Sequence, residues 1–328
     1  MTILVTGGAG YIGSHTVSEL LDMGHEVITL DNLQKGHKKA VLGGKFVKVD
    51  LLDKEKLDEV FKKNKIDSVV HFAADSLVGE SVQNPGKYFK SNIIAGINLL
   101  NAMTKYDVKK IIFSSSAATY GEPDRIPIQE DNRTFPTNPY GETKLMFENI
   151  LKWYDNAHGL KYVSLRYFNA AGAHSSGKIG EDHSPESHLV PIVLQAALGQ
   201  RPHVEVYGTD YKTKDGTCVR DYIHITDLAM AHILGLKRLD ENGASVIYNL
   251  GNGEGFSVKE IIKVAEEVTG KKINTKNGPR RAGDPAVLIA SSEKIKKELN
   301  WKPKFHEIHT IIETAWKWHK EHPKGFDD

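Results

Sequence analysis

Cysteine occurs once in the 328 residues, at Cys218, so no disulfide can form within the chain and a reducing compartment is expected. An excess of either charge is also lacking: 43 basic residues face 42 acidic ones, a formal net charge of +1. That balance leaves no electrostatic footprint for nucleic acid or an anionic membrane. No apolar run is long enough to span a bilayer. The first, Ile3 to Val5, passes straight into glycines, so no signal peptide is expected ahead of it and the cytoplasm is the default location. There the sequon Asn132-Arg133-Thr134 carries no meaning. Internal repeats and low-complexity linkers are missing too. The fifteen histidines show no metal-ligand spacing; His306 and His309 stand three apart without acidic or cysteine partners, so surface positions and no bound metal are expected.

What the chain does have is length for one large domain or two moderate ones, and a strong opening pattern. Residues 2 to 6 read as a buried strand, Gly7-Gly8-Ala9-Gly10-Tyr11-Ile12-Gly13 as a tight turn, and Ser14 to Met23 as a helix. A second strand, Glu26 to Leu30, ends at Asp31. This order describes a dinucleotide-binding unit: glycines let the backbone approach a pyrophosphate, and the helix N-terminus favours its charge. Asp31 would accept hydrogen bonds from the adenosine ribose and repel a 2′-phosphate, which favours NAD over NADP.

Further short β-rich segments follow at Lys45 to Val49, Ser68 to Phe72, Lys110 to Ser114 and Tyr162 to Arg166, alternating with helices. Such runs predict a doubly wound parallel sheet of the Rossmann type, an α/β fold whose ligands lie at the carboxyl ends of the strands. Those ends carry Asp50-Leu51, Phe72-Ala73-Ala74, Ser114-Ser115-Ser116 and Phe168-Asn169. Beyond residue 172 the texture loosens into long irregular stretches between the predicted helices Leu189 to Leu198, Ile225 to Lys237, Val258 to Thr269 and Ser292 to Leu299. We therefore expect residues 1–172 to form the NAD-binding domain, with 222–252 returning to pack on it, and 173–328 to form a smaller C-terminal α/β substrate-binding domain.

The chemistry is expected at Asn138-Pro139-Tyr140-Gly141-Glu142-Thr143-Lys144. A helix starting after Pro139 places Tyr140 and Lys144 on one face, four residues apart. A phenol has a pKa of about 10, and bringing it near 7 requires roughly 4 kcal/mol of preferential phenolate stabilisation. A lysine and a cationic ring could together supply that.

These residues, with Val78-Gly79-Glu80-Ser81-Val82, Arg166-Tyr167-Phe168-Asn169, Asp215 to His224 and Arg280-Arg281-Ala282-Gly283-Asp284, make the chain resemble the UDP-glucose 4-epimerase family of the extended short-chain dehydrogenase/reductase superfamily. The resemblance runs from Ile3 to Gly325. It implies C4 epimerisation of a UDP-hexose through a 4-keto sugar, tightly bound NAD and a homodimer. Tyr140 would be the base, Lys144 its electrostatic partner and Ser116 the hydrogen-bond partner of the reacting oxygen. On the family's pattern NAD would lie against Gly7, Gly10, Tyr11, Ile12, Gly13, Asp31, Asn32, Asp50, Leu51, Phe72, Ala73, Ala74, Asn92, Ser114, Tyr140, Lys144 and Phe168. Asn169, His188, Leu189, Tyr207, Arg220, Arg281 and Asp284 would hold the UDP-sugar. Two positions depart from the pattern: Ser76 replaces a frequent lysine and His188 a frequent asparagine.

Val287, or else Ala286 or Leu288, would border the C2 substituent of the sugar. None is aromatic, which extends the expected substrates to UDP-GlcNAc and UDP-GalNAc. A UDP-pentose or UDP-uronic acid remains the alternative substrate. A 4,6-dehydratase is disfavoured because Ala117-Ala118-Thr119 supplies no carboxylate after Ser116. A non-catalytic NAD sensor would have no need for Ser116, Tyr140 and Lys144 together.

Overall fold

The computed structural model describes residues 1–241, 243–281 and 284–326. Strands β1 (Thr2–Thr6), β2 (Glu26–Asp31), β3 (Lys45–Lys48), β4 (Ser68–His71), β5 (Lys110–Ser114) and β6 (Lys161–Tyr167) run parallel in the order 3-2-1-4-5-6. The short β7 (Asn169–Ala171), β8 (Val204–Tyr207) and β9 (Val219–His224) lie outside this sheet. The chain then returns through helix Ile225–Asp240 and adds β10 (Val246–Leu250) beside β6. Strands β11 (Gly255–Ser257), β12 (Thr275–Gly278) and β13 (Val287–Leu288) complete the second half: β7, β11 and β13 pair with β9, and β12 pairs with β8.

Alternation along each strand divides the core between the two faces of the sheet. Leu4 faces a cluster with Leu57, Leu99 and Phe147, contributed by helices Lys54–Lys63, Ala95–Lys105 and Pro139–His158. Its neighbours Ile3 and Val5 face the opposite cluster, with Val17 and Leu20 of helix Tyr11–Asp22 and Leu228 and Leu236 of helix Ile225–Asp240. A third cluster, including Val190, Leu194, Ile261 and Ile311, holds the second half. Truncating a fully buried leucine such as Leu99 would cost about 2–5 kcal/mol.

The histidines depart from expectation. His306 and His309 are exposed, but His15, His71, His224, His232 and His319 are buried. Burial pushes His15 and His71 down to about 3, and His224 and His232 down to about 4, so these four are neutral core groups at pH 7.

Helix Pro139–His158 has local signals at both ends. The Asn138 carboxamide oxygen accepts from Gly141 N at 2.9 Å, Pro139 opens the first turn, and Gly159 ends the helix in the left-handed region at φ 65°. Its inner face carries Glu148, which receives Arg166 Nε at 2.9 Å and Arg166 Nη2 at 2.5 Å, plus Ser115 Oγ at 2.6 Å. Tyr120 covers the Arg166 guanidinium at 4.8 Å. Both charged side chains are almost wholly buried, so each is tolerated only because the other is there. Glu148→Ala is expected to lower the unfolding free energy by about 3–5 kcal/mol through the stranded guanidinium. Chemical denaturation measures this, and a loss below about 1 kcal/mol, within the range of an exposed pair, would contradict the assigned role.

Candidate active site

The glycine turn follows β1 directly. Gly7 sits at φ 71°, and a Cβ there would fall 2.5 Å from Ala73 N. A Cβ on Gly13 would fall 2.2 Å from Gly7 O, so only glycine lets the helix start pack against the strand end. Gly10 differs: a Cβ there would meet only Gly7 O, at 3.4 Å, because the position borders open cleft. Gly10 caps helix Tyr11–Asp22 without any side-chain cap, leaving the first-turn amides for an anion. These features fit a dinucleotide pyrophosphate. At the end of β2, Asp31 is oriented by Ala9 N at 3.0 Å and Leu33 N at 2.8 Å. Asn32 donates to Asp50 at 2.9 Å, joining the ends of two neighbouring strands. Tyr11 donates its phenol proton to Gly172 O at 2.6 Å, tying the turn to the start of the second half.

Across the cleft, β5 ends at Ser114 and the chain runs on through Ser115 and Ser116. Lys144 Nζ donates to Ser114 O at 2.7 Å and lies 5.7 Å from the Tyr140 ring centroid. Ser116 Oγ accepts from Ala118 N at 3.1 Å, which leaves its hydroxyl proton free to donate. The expected activation rests on a lysine together with a cationic ring, and the chain's own groups do not lower the pKa of Tyr140. Burial raises it, opposed only by a hydrogen bond with Ser116. Lys144 is instead drawn down to about 7 by burial, with Glu148 resisting. The chain alone places too little positive charge beside the phenol to offset its removal from water.

Every other residue expected to hold NAD lines this cleft of about 1240 Å³, with one exception. Asn92 is buried on the π-helical segment Phe89–Ile94. Its side chain accepts from Asp75 N at 2.8 Å and donates to Asp75 O and to Thr143 Oγ1, each at 3.0 Å. It braces the loop after β4 against the helix carrying Tyr140.

Asn169, His188, Leu189, Tyr207, Arg220, Arg281 and Asp284 line the same cleft, and so does Ser76 in the loop after β4. Arg220 pairs with Asp284 and donates to Pro285 O at 2.8 Å, so much of its fork is already engaged. Arg281 lies over the Tyr207 ring at 4.2 Å. Ala282 and Gly283 of the same motif lie outside the described residues. Val287 is not on the cleft wall; Pro285 and Leu288 are. Successive strand residues face opposite ways, so pairing of β13 with β9 selects Leu288 from the alternatives.

Sequence reading missed Tyr167, whose hydroxyl lies 2.5 Å from Ser114 Oγ, along with Arg201 and Glu205 on the far wall. Cys218 also lines the cleft, with its thiol pushed up by burial. A further group, Glu181, His183, Glu186 and His188, gathers on the same wall. Its spacing, Glu-x-His-x-x-Glu-x-His, is a local signal in the sequence.

Comparison with known proteins agrees with this geometry. The NAD dependent epimerase/dehydratase family matches residues 3–251. The UDP-glucose 4-epimerase of Halalkalibacterium halodurans is 60% identical over 326 residues, 99% of this chain and 98% of its own. A crystal structure of a UDP-glucose 4-epimerase superimposes with a TM-score of 0.98 at 54% identity, covering 100% of both chains. The Bifidobacterium longum UDP-glucose 4-epimerase, solved in complex with NAD+ and UDP, gives 0.95 at 42% identity over 99% of this chain and 100% of its own. The chain thus belongs to the NAD dependent epimerase/dehydratase family, among its UDP-glucose 4-epimerases.

Proposed function

We propose that the chain inverts C4 of a UDP-hexose, interconverting UDP-glucose and UDP-galactose, in the cytoplasm. The observation that carries this is one cleft holding Ser116, Tyr140 and Lys144 between the glycine turn and the Arg220–Asp284 wall. Relatives solved with NAD and UDP support the same occupants. On this reading residues 1–172, with 222–252, hold the cofactor, and the rest of 173–328 holds the UDP-sugar.

The C4 hydrogen is not acidic, so inversion by proton abstraction is closed and oxidation followed by reduction from the other face is the workable route. NAD, when bound, supplies the acceptor and then the donor of the C4 hydride and, in its oxidised form, a ring cation that lowers the phenol pKa. Tyr140 takes the proton of the C4 hydroxyl and later returns it. Ser116 donates to the oxygen as its charge develops, and Lys144 favours the phenolate. The 4-keto sugar turns about its link to the diphosphate, which the second half of the chain holds. Tyr140→Phe is expected to keep the fold and its cofactor while slowing conversion of UDP-galactose, assayed without added NAD, at least about a hundredfold. Turnover near the parent rate would remove Tyr140 from this role.

Of the three positions the resemblance offers for the border of the C2 substituent, Val287 first and Ala286 or Leu288 as alternatives, Leu288 lines the cleft. Lacking a tyrosine ring, that side chain leaves space for an N-acetyl group, so we extend the substrates to UDP-GlcNAc and UDP-GalNAc. Leu288→Tyr should depress activity on the acetylated pair about tenfold or more relative to the plain pair, since even a small misplacement is costly at the reacting carbon. An unchanged ratio would defeat the steric argument.

We also propose a two-fold dimer through helices Ala95–Lys105 and Pro139–His158. Trp153 on the second is 71% exposed and Ile94, just before the first, 51% exposed, an apolar surface suited to a second copy. Light scattering at micromolar concentration should give twice the chain mass, and a monomer would refute the pairing.

A further inference from the structure

The segment leading into helix Leu189–Ala197 gathers two carboxylates and two imidazoles. The side chains of Glu181 and Glu186 are only 4% and 3% exposed. Each imidazole turns its Nδ1 toward both carboxylates. His183 Nδ1 lies 3.3 Å from Glu181 Oε1 and 3.7 Å from Glu186 Oε2; His188 Nδ1 lies 2.8 Å from Glu181 Oε1 and 3.3 Å from Glu186 Oε1. Glu181 Oε1 and His183 Nδ1 are buried, yet neither makes a well-aligned hydrogen bond. Buried polar atoms left in that state call for a partner. Backbone amides of Ser187 and His188 donate to Glu186 Oε1 at 2.7 and 2.8 Å, orienting that carboxylate from outside the cluster.

We propose that Glu181, His183, Glu186 and His188 form a closed tetrahedral site for a divalent ion of the zinc class. Four ligands each about 2.1 Å from a central ion stand about 3.4 Å from one another in a tetrahedron, and the four imidazole–carboxylate separations, with Glu186 Oε2 facing His183 and Oε1 facing His188, bracket that value. All four ligand atoms lie within 4.8 Å of one another. Two nitrogens and two oxygens suit zinc or cobalt, whereas calcium and magnesium require six or more oxygen ligands or several waters. The charges balance as well: two carboxylates cancel the dication while both imidazoles bind neutral.

Since the protein supplies every ligand, the ion has no open position for substrate and serves structure. It fastens the start of helix Leu189–Ala197, of which His188 is the N-cap residue. The His183 ring stands edge-on to Tyr11, 6.1 Å between centroids, so the ion also stiffens the wall facing the glycine turn. Lys35, donating to Ser184 O at 2.8 Å, and Phe326 N, donating to Asp182 at 2.8 Å, hold the segment from outside. His188 meets the cluster through Nδ1, so its Nε2 stays available for the contact with the UDP-sugar expected of this residue.

The test uses the full chain, stripped with a chelator, reloaded with zinc and passed through metal-free buffer. Elemental analysis should find one zinc per chain, and the melting temperature should rise by roughly 4 °C at a hundredfold excess over the dissociation constant. Cobalt loading should give the intense visible bands of a tetrahedral ion. His183→Ala and, separately, the near-isosteric Glu181→Gln should each weaken zinc binding at least about a hundredfold, because loss of an outer-shell partner alone costs up to that much. Substoichiometric zinc with an unmoved melting temperature in the parent chain overturns the proposal, whatever the variants do. So does stoichiometric zinc that both variants retain with unchanged affinity, which would place the ion elsewhere.

Discussion

The buried pair between Glu148 and Arg166 is the constraint on which the candidate site rests. It joins the helix carrying Tyr140 and Lys144 to β6, and Ser115 draws the end of β5 into the same contact. Glu148 is one helical turn beyond Lys144, so the ion pair sets the height and rotation at which the lysine meets Ser114 O. Two charges withdrawn from water gain little net stability over an apolar pair, but displacing either one strands the other as a buried charge. Positioned chemistry needs that kind of restriction.

A second constraint comes from the strand order. Between β1 and β4 the connections diverge to opposite sides, leaving a crevice at the carboxyl ends. Close backbone contacts of Gly7 with Ala73 and of Gly13 with Gly7 keep the crevice wall thin enough for a cofactor to approach. The opposite wall is a smaller sheet built on β9, which brings Arg220 beside Asp284 and Pro285. Burial in this cleft works against both candidate acid–base groups, raising Tyr140 and lowering Lys144. The pair is preformed in position but not in charge, so activation is coupled to what occupies the cleft.

Much of this was readable from local patterns, because the responsible interactions are short in range. The glycine turn, Asp31 at a strand end, the Asn138 cap and the Tyr140–Lys144 spacing each depend on residues within a few positions of one another. The parallel sheet followed from apolar runs alternating with helices, and helix Ile225–Asp240 leads back to it through β10. Strand ends moved by a residue or so; β6, expected over Tyr162 to Arg166, runs Lys161–Tyr167.

What tertiary structure alone decided concerns groups far apart in sequence or dependent on burial. The spacing of Glu181 to His188 was visible, but nothing local said that four ligand atoms would converge rather than fan out into water. Asn92 became a brace because Asp75 and Thr143 reach it across 17 and 51 positions. Leu288 took the cleft wall from Val287 because pairing with β9 fixed the strand's rotation. The phenol of Tyr140 was raised because dehydration scales with the whole surroundings, whereas a spacing of four residues specifies only a neighbour. Sequence determined which chemistry the chain carries and the local geometry that presents it; packing decided which atoms water can still reach, and that sets their charge.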